Sequence, residues 1–175
     1  LPTPSGNIHG MVLAGVLGRG SEAMVQATQD CKTIDTHVAM VGVRSIDSGE
    51  QRWLDEGNIN CMKMSQVRDR GLDVCLADAV DTANQAESGY GLTIDLDVID
   101  PTQAPYVATA VDGGINAEEL AFVLKSIPRP DRLLGMEVTE FTPRNEQDAQ
   151  PACDLVANLV NAVCTSLQHD NVDQT

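Results

Sequence analysis

The sequence predicts an α/β fold with three layers, a mostly parallel β-sheet flanked by helices. Three observations carry that expectation: strand-length apolar runs rich in Val, Ile and Leu, stretches of helical period between them, and short connections. Parallel neighbours require a crossover, so strands alternating with helices imply a sheet covered on both faces. The 175 residues amount to one domain. A chain of this length buries roughly 70% of the surface its unfolded form exposes and needs no disulfide staples.

Met11 to Leu17 is an apolar run closed by Gly18 and Gly20, which reads as a short buried helix. Ser21 caps a second helix reaching Thr28. Val38 to Val43 is a valine-rich strand closing on Arg44. Ser48 and Gln51 have capping-box spacing, and Trp53 and Leu54 give that helix its first apolar contacts. Ile59 to Met64 is a weaker strand, followed by a helix over Ser65 to Arg70.

From Leu72 to Ala86 the positions Leu72, Cys75, Leu76, Ala79, Val80 and Ala83 mark an amphipathic helix. A strand, Leu92 to Asp97, ends in carboxylates. Asn116 caps a helix over Ala117 to Ile127, stopped by Pro128 and Pro130. Arg132 to Val138 is a buried strand, and Asp148 to Leu167 a closing helix with Leu155, Leu159, Val163 and Leu167 as its stripe. Residues 1–169 form the domain, and 170–175 a frayed polar tail.

Eleven Lys and Arg against 26 Asp and Glu leave a formal charge of −15. Such a chain repels phosphate backbones and anionic lipid surfaces, so neither nucleic acid nor membrane is an expected partner. No apolar run approaches the roughly 20 residues of a membrane span, and the start lacks a secretory pattern. The five cysteines have no paired-ligand spacing and read as reduced thiols, which points to the cytoplasm. With one Trp, two Tyr and two Phe, the core must be mainly aliphatic. A chain that opens on Leu1 and enters a motif within ten residues reads as the later part of a longer protein.

Chemistry concentrates in Asp95-Leu96-Asp97-Val98-Ile99-Asp100-Pro101. On an extended strand Asp95 and Asp97 project to one face, at the carboxyl end where α/β sheets bind ligands. Like charges so close raise each other's pKa unless a cation neutralises them. Hard oxygen donors suit magnesium, manganese or calcium, and added imidazole would favour manganese. Two other readings stay open at this point. The aspartates can be solvated strand-end residues, or the first can be the nucleophile of a phosphatase of the haloacid-dehalogenase type. That motif sits early in its domain and continues with Thr, where this chain has Ile99 past mid-chain.

Five stretches occur in a telling order: Ser5-Gly6-Asn7-Ile8-His9-Gly10, Gly42 to Glu50, Asp95 to Pro101, Thr109-Ala110-Val111-Asp112-Gly113-Gly114, and Glu137 to Pro143. Together they resemble the ureohydrolase family, and within it the arginases, from Ser5 to about Leu167. The resemblance implies an arginase-like domain, incomplete on its N-terminal side. It also implies hydrolysis of a guanidino group by hydroxide held between two manganese ions. Asp95 and Asp97 match metal ligands, and His9 matches a proton shuttle to the leaving amine. Glu140 matches the carboxylate that pairs with the guanidinium, with the Thr109 hydroxyl nearby.

Asp47 and Glu50 resemble the acidic pair that receives a substrate α-amino group, and Ser5 and Asn7 the contacts to its α-carboxylate. An amino-acid substrate, arginine, is therefore favoured over agmatine. Ser45 and Asp112 depart from the family's pattern, which has Asp at the first position and an apolar residue at the second. The family's remaining metal ligands precede Ser5 and are absent from this sequence. The resemblance therefore implies poor manganese binding by these residues alone, and a homo-oligomer, trimer or hexamer, for the complete enzyme. A phosphatase-like hydrolase and a non-catalytic assembly module remain the alternatives.

Overall fold

The computed structural model describes residues 11–28, 35–46 and 48–172. In chain order the regular elements are α1 (Val12–Val16), α2 (Glu22–Ala27), β1 (Ala39–Val43), α3 (Ser48–Gly57), β2 (Asn60–Lys63), α4 (Met64–Arg70) and α5 (Leu72–Ala83). These are followed by β3 (Tyr90–Asp95), α6 (Ala117–Leu124), β4 (Leu133–Thr139) and α7 (Glu146–Val172). The α/β class is as expected, and each strand and helix overlaps the segment the apolar pattern gave it. However, β3 starts at Tyr90 instead of Leu92, and α6 ends at Leu124 instead of Ile127. β4, expected as a buried strand, has no fully buried residue because its faces are only partly covered. Both strand pairings are parallel. β1 runs beside β2 and β3 beside β4, giving two two-stranded sheets among the described residues.

Helix ends follow local chemistry. Ser21 accepts from the Met24 amide at the start of α2, and the Asn116 side chain accepts from the Glu118 and Glu119 amides at 2.9 and 3.0 Å. Helix α5 stops at Ala83, short of the expected Ala86. Arg132 organises the segment beyond it, donating to Asn84 Oδ1 at 2.9 Å and to the Ala86 and Glu87 carbonyls at 2.7 and 3.0 Å. Those carbonyls are thus satisfied without further helix. Gln51, the distal half of the expected capping box, donates to Asp55 and accepts from Lys63 Nζ, tying α3 to the end of β2.

The core is aliphatic, centred on Met62, Leu96, Ile99, Val107, Leu124, Leu159 and Val163. Phe122, one of the five aromatics, is exposed. Helix α7 differs from its expected stripe: Ala152, Leu159, Ala162, Val163 and Ser166 are the buried positions, while Leu155 and Leu167 are half-covered. Small alanines bring the helix close, and the Ser166 hydroxyl donates to the Ile127 carbonyl at 3.3 Å. The helix also runs through Val172, past the expected start of the tail. Leu159 has no exposed surface, so Leu159→Ala should cost about 2–5 kcal/mol, read as a lower chemical-denaturation midpoint at unchanged slope.

A candidate metal centre at the ends of β3 and β4

β3 and β4 pair in parallel from Tyr90 to Asp95, with Asp95 opposite Thr139. Their carboxyl ends therefore deliver Asp95 and Glu140 side by side. The expected strand through Asp97 stops two residues early, because Leu96–Val98 closes into a 3₁₀ turn. Strand alternation is consequently not what brings the aspartates together. The turn does so: Asp95 Oδ1 accepts the Asp97 amide at 3.0 Å, and Leu96 points into the core with no exposed surface.

The electrostatics at this point are unfavourable. The Asp97 carboxyl is pushed up to about 6, first by burial, then by the Asp95 charge, with Arg44 opposing and Glu140 adding to the rise. Its proton is therefore held in the folded chain at pH values where an unfolded Asp has lost it. The stabilisation this gives is fully present below about pH 3.8 and is lost as pH rises through about 6. Metal-free protein should accordingly lose part of its stability across that window, and thermal melts at successive pH values measure it.

The rest of the motif is structural. Asp100 accepts from Thr102 Oγ1 at 2.6 Å, from the Thr102 amide at 3.1 Å and from the Gly113 amide at 3.0 Å. These bonds hold its carboxyl below the usual range. Ile99 bridges Ile115, with Ile115 N donating to Val98 O and Asp100 N to Ile115 O. A side chain at Gly114 would meet Asp100 N and Ile99 C at 2.5 Å, so glycine alone lets the two backbones touch. Arg68 donates to the Gly113 carbonyl at 2.7 Å and fixes the same loop from α4.

β1 reaches this centre from the other sheet. Gly42 has a φ of +81° at the irregularity in the β1–β2 ladder, and a Cβ there would lie 2.7 Å from Val98 Cγ2. Two residues on, Arg44 donates to the Asp97 and Val98 carbonyls. The sequence pattern assigned Arg44 no role. An arginine directly after an apolar strand was the available signal, but its partners lie more than fifty residues away.

Asp95 and Glu140 are both near enough to raise Asp97 electrostatically. Glu140 sits at a φ of +56°, a left-handed conformation costly for glutamate, directly after β4. Thr109 is exposed on the loop that precedes Gly113. Glu50 is half-buried in the first turn of α3, where a carboxylate suits the helix N-terminus. Ser5, Asn7, His9 and Asp47 lie outside the described residues.

Among the described residues no group of three His, Cys, Asp or Glu is arranged to enclose an ion. The pair Asp95 and Asp97 nevertheless fits a share of a metal site. Its donors are hard oxygens, and a divalent cation relieves the repulsion that raises Asp97. The Arginase family model matches residues 2–165. The chain belongs to the arginase family. It is 33% identical over 156 residues to an arginase of Bacillus caldovelox, covering 89% of this chain and 52% of that protein. With an arginase of Bacillus subtilis the identity is 31% over 162 residues, covering 90% and 54%. The native Bacillus caldovelox arginase structure superposes with a TM-score of 0.80 at 31% identity, over 94% of this chain and 54% of that one. The chain thus spans about half the length of the arginases it matches. Among the described residues no helix is long and apolar enough to cross a membrane.

Proposed function

We propose that the chain carries part of the active centre of a manganese-dependent ureohydrolase that converts arginine to ornithine and urea. The observation that supports it most is the convergence of Asp95, Asp97 and Glu140 at the ends of two parallel strands, with Asp97 destabilised as an anion. In this reading Asp95 and Asp97 hold the metal. An ion held there would supply the positive charge that lowers the pKa of water and so provides a nucleophile for the guanidino carbon at neutral pH.

The chain's own residues do the rest. Glu140 accepts two parallel N–H bonds from the guanidinium and orients it, with Thr109 beside it. His9 gives a proton to the departing amine, a task suited to a pKa near 6.5. Ser5 and Asn7 receive the α-carboxylate, and Asp47 and Glu50 the α-amino group. Two carboxylates do not fill the roughly six positions around each of two ions. The remaining ligands are therefore assigned to the half of the family's length that this sequence does not span, in the same polypeptide or a partner chain. A cytoplasmic homo-oligomer, trimer or hexamer, completes the proposal.

The test is a urea assay on the complete reading frame with added manganese, offered arginine, agmatine and guanidinobutyrate. Urea from arginine in preference to the other two supports the reading. Preference for agmatine would reassign Ser5, Asn7, Asp47 and Glu50, and phosphate release without urea would restore Asp95 as a nucleophile. His9→Asn is expected to lower turnover by roughly 10²-fold with manganese still bound. Equal turnover in that variant removes the proton-transfer role.

A further inference from the structure

Arg44 stands at the carboxyl end of β1, and its guanidinium crosses to the turn at the end of β3. One terminal nitrogen donates to the Val98 carbonyl at 2.7 Å and the other to the Asp97 carbonyl. The two acceptors belong to consecutive peptide units, Asp97–Val98 and Val98–Ile99, at the end of the 3₁₀ turn that carries Asp97. The fork geometry matches two neighbouring acceptors, as an ammonium cannot. The buried Nε has no partner among the described residues, so the orientation of the group is set by these two carbonyls. The β1 backbone adopts positive φ at Gly42 and packs against Val98 there, placing Arg44 within reach.

We infer that Arg44 is a positioning residue for the metal centre, a two-point clamp that fixes the two peptide units following Asp97 and thereby aims the Asp97 carboxylate. The inference rests on the metallohydrolase reading of the site. Its charge acts in the opposite direction, since a cation beside Asp95 and Asp97 competes electrostatically with a bound metal ion. Clamp and charge therefore predict opposite outcomes when Arg44 is replaced.

Arg44→Lys keeps the charge and loses the fork, whereas Arg44→Met loses both at similar length. Manganese is titrated into the complete protein and into each variant, with free ion followed by electron paramagnetic resonance and folding by thermal melts. Both variants are expected to bind manganese at least tenfold more weakly, the scale on which groups that orient metal ligands act. The bound-ion spectrum should change as well, while Arg44→Lys melts within a few degrees of wild type. Wild-type affinity in Arg44→Lys, or tighter binding in Arg44→Met, overturns the clamp. An Arg44→Lys chain that does not fold overturns it too, because the bond would then hold the fold and not the ligand. Wild-type protein that takes up no manganese overturns the reading of the site itself.

Discussion

Asp97→Ala is expected to lower manganese content and urea production together, with turnover reduced by more than about a hundredfold. Outer-shell partners of metal sites already carry roughly 10- to 100-fold effects, and a direct ligand should exceed them. The same change should do the reverse to the metal-free protein. In the folded chain Asp97 is pushed up to about 6 by burial and by Asp95, so above that pH its charge is a cost that alanine removes. A variant that binds less metal yet melts higher without metal is the signature of a carboxylate held in place for a ligand. Metal analysis, urea assay and paired melts with and without manganese measure all three quantities. Full manganese occupancy in Asp97→Ala would remove its role as a ligand.

Gly114→Ala is expected to be the most damaging small substitution near the site. Its new Cβ would sit 2.5 Å from Asp100 N and Ile99 C and 2.7 Å from Val98 O. All three are backbone atoms of the segment that continues from the 3₁₀ turn at Leu96–Val98, so no side-chain rotation relieves the clash. Forced overpacking costs about 1–3 kcal/mol where side chains yield, and a backbone obstacle should reach or pass the upper end. The Ile99–Ile115 bridge would open first, releasing the Asp100 bracket. Gly135→Ala supplies the control, because a Cβ there meets nothing within 4 Å. Chemical denaturation of both variants should show a lowered midpoint for the first and little change for the second.

The period of the apolar residues located each strand and helix, because burial on one face is a local property of the sequence. Side-chain caps were legible for the same reason at Ser21 and Asn116. Features that depend on a distant partner were not legible. Leu155 looked as apolar as Leu159, yet only contacts made by the folded helix decide which of them is enclosed. The end of α5 depends on Arg132, 48 residues from its partner Asn84. The sequence places Asp95 and Asp97 on one face by strand alternation, whereas in the structure a turn sets their relative position. Arg44 escaped a role because its partners are main-chain carbonyls, which carry no signature in the side-chain alphabet.

Anomalous diffraction from crystals of the complete protein grown with manganese tests the central claim most directly. The expected result is an anomalous peak at coordination distance, roughly 2.0–2.3 Å, from carboxylate oxygens of both Asp95 and Asp97. The contradicting result is a map with no peak there and the two carboxylates turned away from each other or paired with arginine.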